Sequence, residues 1–316
     1  MQEHASPPGP GTAEVQGRAM GSHAQILVSA QTSSVAQQLA QLGMRRVELL
    51  EQCWTRFRSD SELMQLNAQA GTGAVPVSAD LGLLVRRMQD AWSWTQGAFD
   101  PTVLRSMVSL GYDVDFNLIT TGGPGALPRD LRAAPGMADV VVDESTVSLP
   151  AHLALDPGGI GKGLAADIIS AELMAAGATG VLVNLGGDAA ARGTCDGEPW
   201  TIGIRDDRLT ESPVVAERIL DPSGQGVATS SILRRRWQGR HHLINPQTGA
   251  PSATDVVQAT VFAPSAWQAE AMATMALVRG QRPYEEWSKR TNSAAYLFGT
   301  ATEPTTIIQQ REYANA

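Results

Sequence analysis

Apolar positions along the chain change their period several times, and each change marks an element. Residues 25–30 (QILVSA) read as a strand. From Ser33 or Ser34, either of which supplies a side-chain cap, apolar residues recur at helical spacing through Val47, Leu50 and Trp54. The spacing returns at Leu81, Leu84, Val85, Met88 and Trp92, and Gly97 ends that helix. Residues 151–156 alternate and predict a strand. A helix is then expected over 164–176, with Leu164, Ala165, Ile168, Ile169 and Leu173 on one face and Gly177 as its stop. The run 180–184 (GVLVN) predicts a buried strand. A hairpin is expected at 140–142 with 146–149, and further strands at 200–204, 214–220, 226–229, 242–244, 256–263, 294–298 and 305–308. Ser265 opens one more helix, and Gln268 completes its capping box. Residues 113–137 carry no period and read as loop.

Without a repeat or a linker, these elements predict an α+β fold: one compact mixed domain over 20–316, mostly antiparallel sheet with packed helices. Residues 1–19, rich in Pro, Gly, Ala and charge, read as a disordered tail. They hold no apolar h-region, and no apolar run reaches the roughly 18 residues of a membrane helix. A soluble, cytoplasmic body is the expectation. With 316 residues and 43% apolar content, the chain is long enough to bury a core. Its formal charge of −8 argues against a nucleic-acid partner. Cys53 and Cys195 make neither a metal-spacing motif nor a disulfide framework, and read as inert thiols.

One stretch departs from packing logic. In LDPGGIGKGLAAD (155–167), four glycines and a proline fall within seven residues, just before a helix. Glycine costs backbone entropy and is kept where the chain bends sharply or a ligand approaches its amides. A glycine turn at a helix N-terminus suits a phosphate or a carboxylate. It is not a P-loop, because Asp156 stands where the first glycine belongs and Gly163 follows Lys162 in place of Ser or Thr. GKGLAA does match the dinucleotide pattern GxGxxA, with Asp188 at the distance of a ribose-binding acid. That motif opens a doubly wound unit, however, whereas this one lies midway through a strand-rich chain.

Taken in order, the motifs resemble those of the ApbE family, the FAD:protein FMN transferases. The likeness runs from Met20 to Thr274: Met20-Gly21-Ser22, FRSDSELMQLN (57–67), GAFDPTV (97–103), the glycine stretch, NLGGD (184–188), Ala228-Thr229-Ser230 and HLINPQTG (242–249). The resemblance implies a T-fold-like architecture. It also implies a transferase that moves the FMN moiety of FAD, with Mg²⁺, onto a Ser or Thr hydroxyl of a partner flavoprotein, releasing AMP.

By the same resemblance, FAD would touch Met20, Phe57, Ala98, Phe99, Asp100, Gly158 and Leu164. The metal would be held by Gly161 through its carbonyl, Glu270 and Thr274. His242 would be the base, since an imidazole titrates near neutral pH. The backbone of 158–163 is expected to lie against the pyrophosphate. Three positions depart from the family pattern: Glu270 stands for Asp, Asn245 for the Asp of His-x-Ile-Asp-Pro, and Ser231 for Gly. Mg²⁺ demands near-octahedral oxygen donors at about 2.0–2.1 Å, so the longer Glu270 side chain bears on metal affinity. The alternative expectation is therefore an FAD-binding, flavin-storage protein that has lost transfer.

Overall fold

The computed structural model describes residues 11–308 except 120, 121, 124, 292 and 301–303, with 304–308 described by their backbone. The first strand, Thr12–Ala19, lies inside the segment read from sequence as a tail. It pairs along its whole length with Ser22–Ser29 through a two-residue turn at Met20 and Gly21, whose φ values of 51° and 67° make it a left-handed hairpin turn. The polar TAEVQGRA shows little apolar alternation, so its ladder, not its hydrophobicity, holds it in place. Residues 1–10 lie outside the described residues.

These two strands begin a sheet that continues through Gly180–Leu185, Asp188–Cys195, Gln225–Ser231, Val256–Ala263, Ala294–Gly299 and Pro304–Ile308. Glu198–Pro199 adds onto Asp188–Cys195, and each pairing is antiparallel. Three long helices, Ser33–Trp54, Gly161–Ala175 and Ala266–Arg279, pack on the sheet. Ile26, Val28, Val181 and Val183 meet Leu39, Val47, Leu50, Ile169 and Leu173 in the main core. Each fully buried Val or Leu there contributes about 1.5–3 kcal/mol. Leu27, Leu182, Phe262 and Phe298 instead pack with Ile202 and Ile204 of a two-stranded ribbon, Thr201–Arg205 with Val214–Ile219. With residues of both parities covered, Gly180–Leu185 is buried at every position, as its apolar run predicted.

Elsewhere the local signals yielded to tertiary contacts. Residues 151–156 form no strand; the side chain of Asn67 accepts from Leu155 N–H at 2.8 Å and donates to its carbonyl at 3.0 Å, replacing a ladder. The following helix starts at Gly161, three residues earlier than its apolar face suggested. Residues 242–244 are not a strand, since Arg240–His241 pairs with Arg236–Trp237 and Ile244 makes only a single bridge to Pro251. The first long helix is capped by Thr32, whose Oγ1 accepts from Val35 N–H.

The helix from Ala266 is capped from another element. Ser265 Oγ bonds the Gln268 side chain, while the carboxylate of Asp167 accepts from Ala266 N–H at 2.9 Å and Trp267 N–H at 3.0 Å. This locks the two site-bearing helices together end to side. Two glycines permit it: a methyl group at Gly163 would stand 2.5 Å from the Ala266 carbonyl oxygen, and one at Gly226 2.1 Å from the Ala266 nitrogen. Among the described residues, no helix is long and apolar enough to cross a membrane.

Candidate active site

A cavity of about 640 Å³ opens where the glycine turn, the Glu270 helix and the Met20–Gly21 turn meet. His242, Met20, Phe57, Ala98, Phe99, Asp100, Gly158, Gly161, Glu270 and Thr274 all line it. Leu164 does not; it is 3% exposed and packs in the main core. Its place on the helix's inner face, which the sequence pattern showed, conflicts with a ligand-contacting side chain.

Among the lining residues, Lys162 reaches between two buried carboxylates. Its Nζ is 2.5 Å from Glu270 Oε1 and in contact with Asp188 Oδ2. Glu270 Oε2 accepts from Gly163 N–H at 2.8 Å, and Asp188 Oδ1 from Thr229 N–H at 3.2 Å. Burial alone would discharge the ammonium, yet the fields of Asp188 and Glu270 outweigh it and hold the Lys162 pKa above its ordinary value. Asp188 is pushed up, first by burial and also by Glu270, against the pull of Lys162.

Thr274 lies one turn beyond Glu270, so both oxygens share a face. Thr274 Oγ1 is buried without a partner. A methyl group at Gly159 would stand 3.2 Å from Thr274 Oγ1, whereas one at Gly161 would meet Pro157 Cβ. A carboxylate and an orphaned hydroxyl are hard oxygen donors of the kind Mg²⁺ takes, and Glu270 keeps lone pairs beyond its two bonds.

The two neighbouring histidines separate cleanly. His241 Nδ1 accepts from Leu243 N–H and Nε2 lies 2.9 Å from the Ser252 carbonyl, so its ring is fixed as a donor from Nε2 and serves structure. His242 lines the cavity with Nδ1 buried and unpartnered. Burial, helped by the charges of Arg235, His241 and Lys162, lowers its pKa well below the ordinary value and keeps the imidazole neutral.

Apolar and aromatic side chains line the same cavity. Phe57 is 39% exposed at the cavity, while Phe99 and Ala98 are buried behind it. The Arg56 guanidinium lies over the rings of Phe57 and Tyr112 at 4.2 and 4.3 Å, and its Nε is 3.1 Å from Asp156. Asp100 borders the cavity, but its oxygens accept from Thr102 N–H, the Thr102 hydroxyl and Trp92 Nε1, which makes it the cap of the following turn. Asn245 likewise closes a turn, accepting from Gln247 N–H through its side chain and from Gly249 N–H through its carbonyl.

The glycine stretch is less open than its composition suggested. Gly158 N–H is bonded to Asp156, Ile160 and Gly161 N–H to the Pro157 carbonyl, and Gly163 N–H to Glu270. Sequence reasoning gave Lys162 no role and considered Asp188 only as a ribose-binding acid. The signal available was their position inside two glycine-rich motifs, GKG and GGD, which bring charges to the same cavity.

The chain is similar to known proteins over most of its length. The ApbE family model matches residues 20–298. A Treponema pallidum protein named FAD:protein FMN transferase is 35% identical over 244 residues, spanning 71% of this chain and 66% of that protein. One of the same name from Klebsiella pneumoniae is 28% identical over 90% of this chain and 83% of its own length. Among solved structures, the ApbE protein of Thermotoga maritima superposes with a TM-score of 0.79 at 25% identity, covering 93% of this chain and 97% of that one. The flavin transferase ApbE of Vibrio cholerae gives 0.77 at 23% identity, a likeness of fold that covers 95% and 97%. The chain belongs to the ApbE family.

Proposed function

We propose that the chain binds FAD and transfers its FMN moiety onto a Ser or Thr hydroxyl of a partner flavoprotein, with Mg²⁺, releasing AMP. The observation that carries this reading is that Lys162, Glu270, Thr274 and His242 line the same cavity as Phe57 and Met20. Charged groups together with apolar, polarisable ones match a substrate that joins a pyrophosphate to an isoalloxazine ring. The likeness to proteins named FAD:protein FMN transferase supports the same substrate.

Glu270 and Thr274, with a main-chain carbonyl of 159–161, would hold the metal. When bound, the cation supplies Lewis-acid neutralisation of charge on the pyrophosphate. Lys162, kept protonated, adds a fixed positive charge beside it. His242, kept neutral, accepts the proton of the acceptor hydroxyl as its oxygen bonds to the FMN phosphorus and the bridging bond to AMP breaks. Phe57 orients the ring, and its exposed face lets a flavin stack without repacking the core.

A second reading, FAD binding without transfer, has one specific support: both Glu270 oxygens already have partners in Lys162 and Gly163. Incubation with FAD, Mg²⁺ and an acceptor flavoprotein separates the two. Flavin that stays on the denatured acceptor, with AMP released, supports transfer; a yellow protein that yields neither supports storage.

A further inference from the structure

Most cations lining the cavity are already engaged. Arg56 pairs with Asp156, Arg58 with Asp60, Lys162 with Asp188 and Glu270, and Arg234 with Asp207. Arg205 donates to the Ser212 carbonyl. Arg235 differs: among the described residues its hydrogen-bonding contact is Nη2 to the Gly21 carbonyl at 3.4 Å, long for a guanidinium bond. Two acids flank that turn: Glu51, held by the Met20 main chain, and Asp115, whose Oδ1 is taken by the main-chain and side-chain N–H groups of Asn117 and whose Oδ2 would stand 4.0 Å from a methyl group on Gly21.

The backbone of Arg235 is also held in an uncommon state. Its φ of 47° lies in the left-handed region, which costs a residue with a Cβ about 1–2 kcal/mol. Such strain persists where the surrounding structure fixes it, and it clusters at functional sites. Here it carries the side chain across the cavity to the Met20–Gly21 turn, where a methyl group on Gly21 would stand 3.7 Å from Nη2. From this place the guanidinium is close enough for its charge to bear on His242, Lys162 and Tyr112.

We propose that Arg235 is an anion-binding residue that holds a phosphate of the substrate's pyrophosphate, in the cavity it lines together with Lys162 and His242. This rests on the flavin-transfer reading and adds a residue to it. A planar guanidinium grips a phosphate through two parallel N–H donors, which a lone lysine cannot do. During transfer the acceptor oxygen bonds to the FMN phosphorus, the bridging oxygen leaves with AMP carrying the electron pair, and the hydroxyl proton goes to His242. The Arg235 donors then offset charge that grows on the phosphates as the bridge breaks.

The test compares FAD with riboflavin, which has the ring and no phosphate. Affinities are measured for the wild type, Arg235→Gln and Arg235→Lys at low and high salt. Loss of a charge-assisted contact should weaken FAD binding about 10- to 100-fold in Arg235→Gln and leave riboflavin unchanged. Arg235→Lys should recover part of the loss, since it keeps the charge but not the fork. The salt dependence of FAD binding should be shallower in Arg235→Gln. Equal FAD binding by wild type and Arg235→Gln overturns the assignment, and so do equal losses for FAD and riboflavin, which would make Arg235 a structural strap to Gly21. A wild-type chain that binds no FAD overturns the flavin reading itself and this assignment with it.

Discussion

Lys162 Nζ stands 2.5 Å from Glu270 Oε1 while also touching Asp188 Oδ2, so one ammonium is shared by two carboxylates whose side chains are 2% and 3% exposed. Removing one partner of a buried ionic cluster strands the others. Lys162→Met should destabilise the fold by about 3–5 kcal/mol. Asp188, pushed up by burial and by Glu270, then loses the opposing pull of Lys162, so part of the loss should return as pH is lowered, or when Mg²⁺ is added. Denaturant unfolding with and without Mg²⁺ at two pH values checks this, and a loss indifferent to both contradicts it.

Glu270→Ala is predicted to lower metal-dependent turnover more than FAD affinity. The helix would still place Thr274, and the aromatic end of the cavity is untouched. Turnover and flavin-fluorescence quenching, measured on the same preparation, give the two quantities. Turnover equal to the wild type's would remove Glu270 from the metal set.

His242→Ala should lower turnover by about 10²–10⁴-fold, the usual range for a general base, with FAD still bound. Because the folded-state pKa of His242 is lowered, the neutral base persists as pH falls past the ordinary histidine value of 6.5. The acid limb of turnover that depends on His242 is therefore expected below that pH. A limb at or above it would contradict the burial of the imidazole.

The glycines of 158–163 are predicted to differ sharply in tolerance. Gly163→Ala drives a methyl group into the Ala266 carbonyl and should cost about 1–3 kcal/mol, because backbone must move. Gly161→Ala meets only Pro157 Cβ at 3.4 Å, at a helix N-terminus, and should fold as well as the wild type. Thermal unfolding of the pair distinguishes a packing glycine from a dispensable one.

Asp167→Ala removes the cap that the Gly161–Ala175 helix supplies to the Ala266–Arg279 helix and should cost about 1–2 kcal/mol. Burial raises the Asp167 pKa from 3.8 to about 6, against the two amides it accepts from. The folded state therefore binds this proton more readily than the unfolded one. The linked stability is fully present below pH 3.8 and lost as pH rises through about 6. Asp167→Asn, which keeps an acceptor and loses the proton, should lack that slope in a comparison of unfolding free energies.

Much of the architecture was legible because its signals are local. Leu39, Val47 and Leu50 fall on one helical face, and 180–184 reads as buried because both sides of the sheet are covered. The misreadings share a cause, which is pairing across the chain. Thr12–Ala19 is held by its ladder to Ser22–Ser29, and 155 by the Asn67 side chain. The cap of the Glu270 helix comes from Asp167, 99 residues away from Ala266. At the site, motif order brought His242, Glu270 and Thr274 to one cavity, but Leu164 followed its apolar face inward. Lys162 and Arg235 escaped notice because a cation's function depends on whether a carboxylate already holds it, which spacing does not reveal.

The most direct measurement follows the flavin itself. The chain is incubated with FAD, Mg²⁺ and an acceptor flavoprotein carrying a target Ser or Thr, then denatured, and acceptor-bound flavin and free AMP are quantified with and without a chelator. Covalent flavin and AMP are expected in equal amounts, both abolished by the chelator. FAD that binds and is recovered intact, or transfer that proceeds equally with the chelator present, would contradict this.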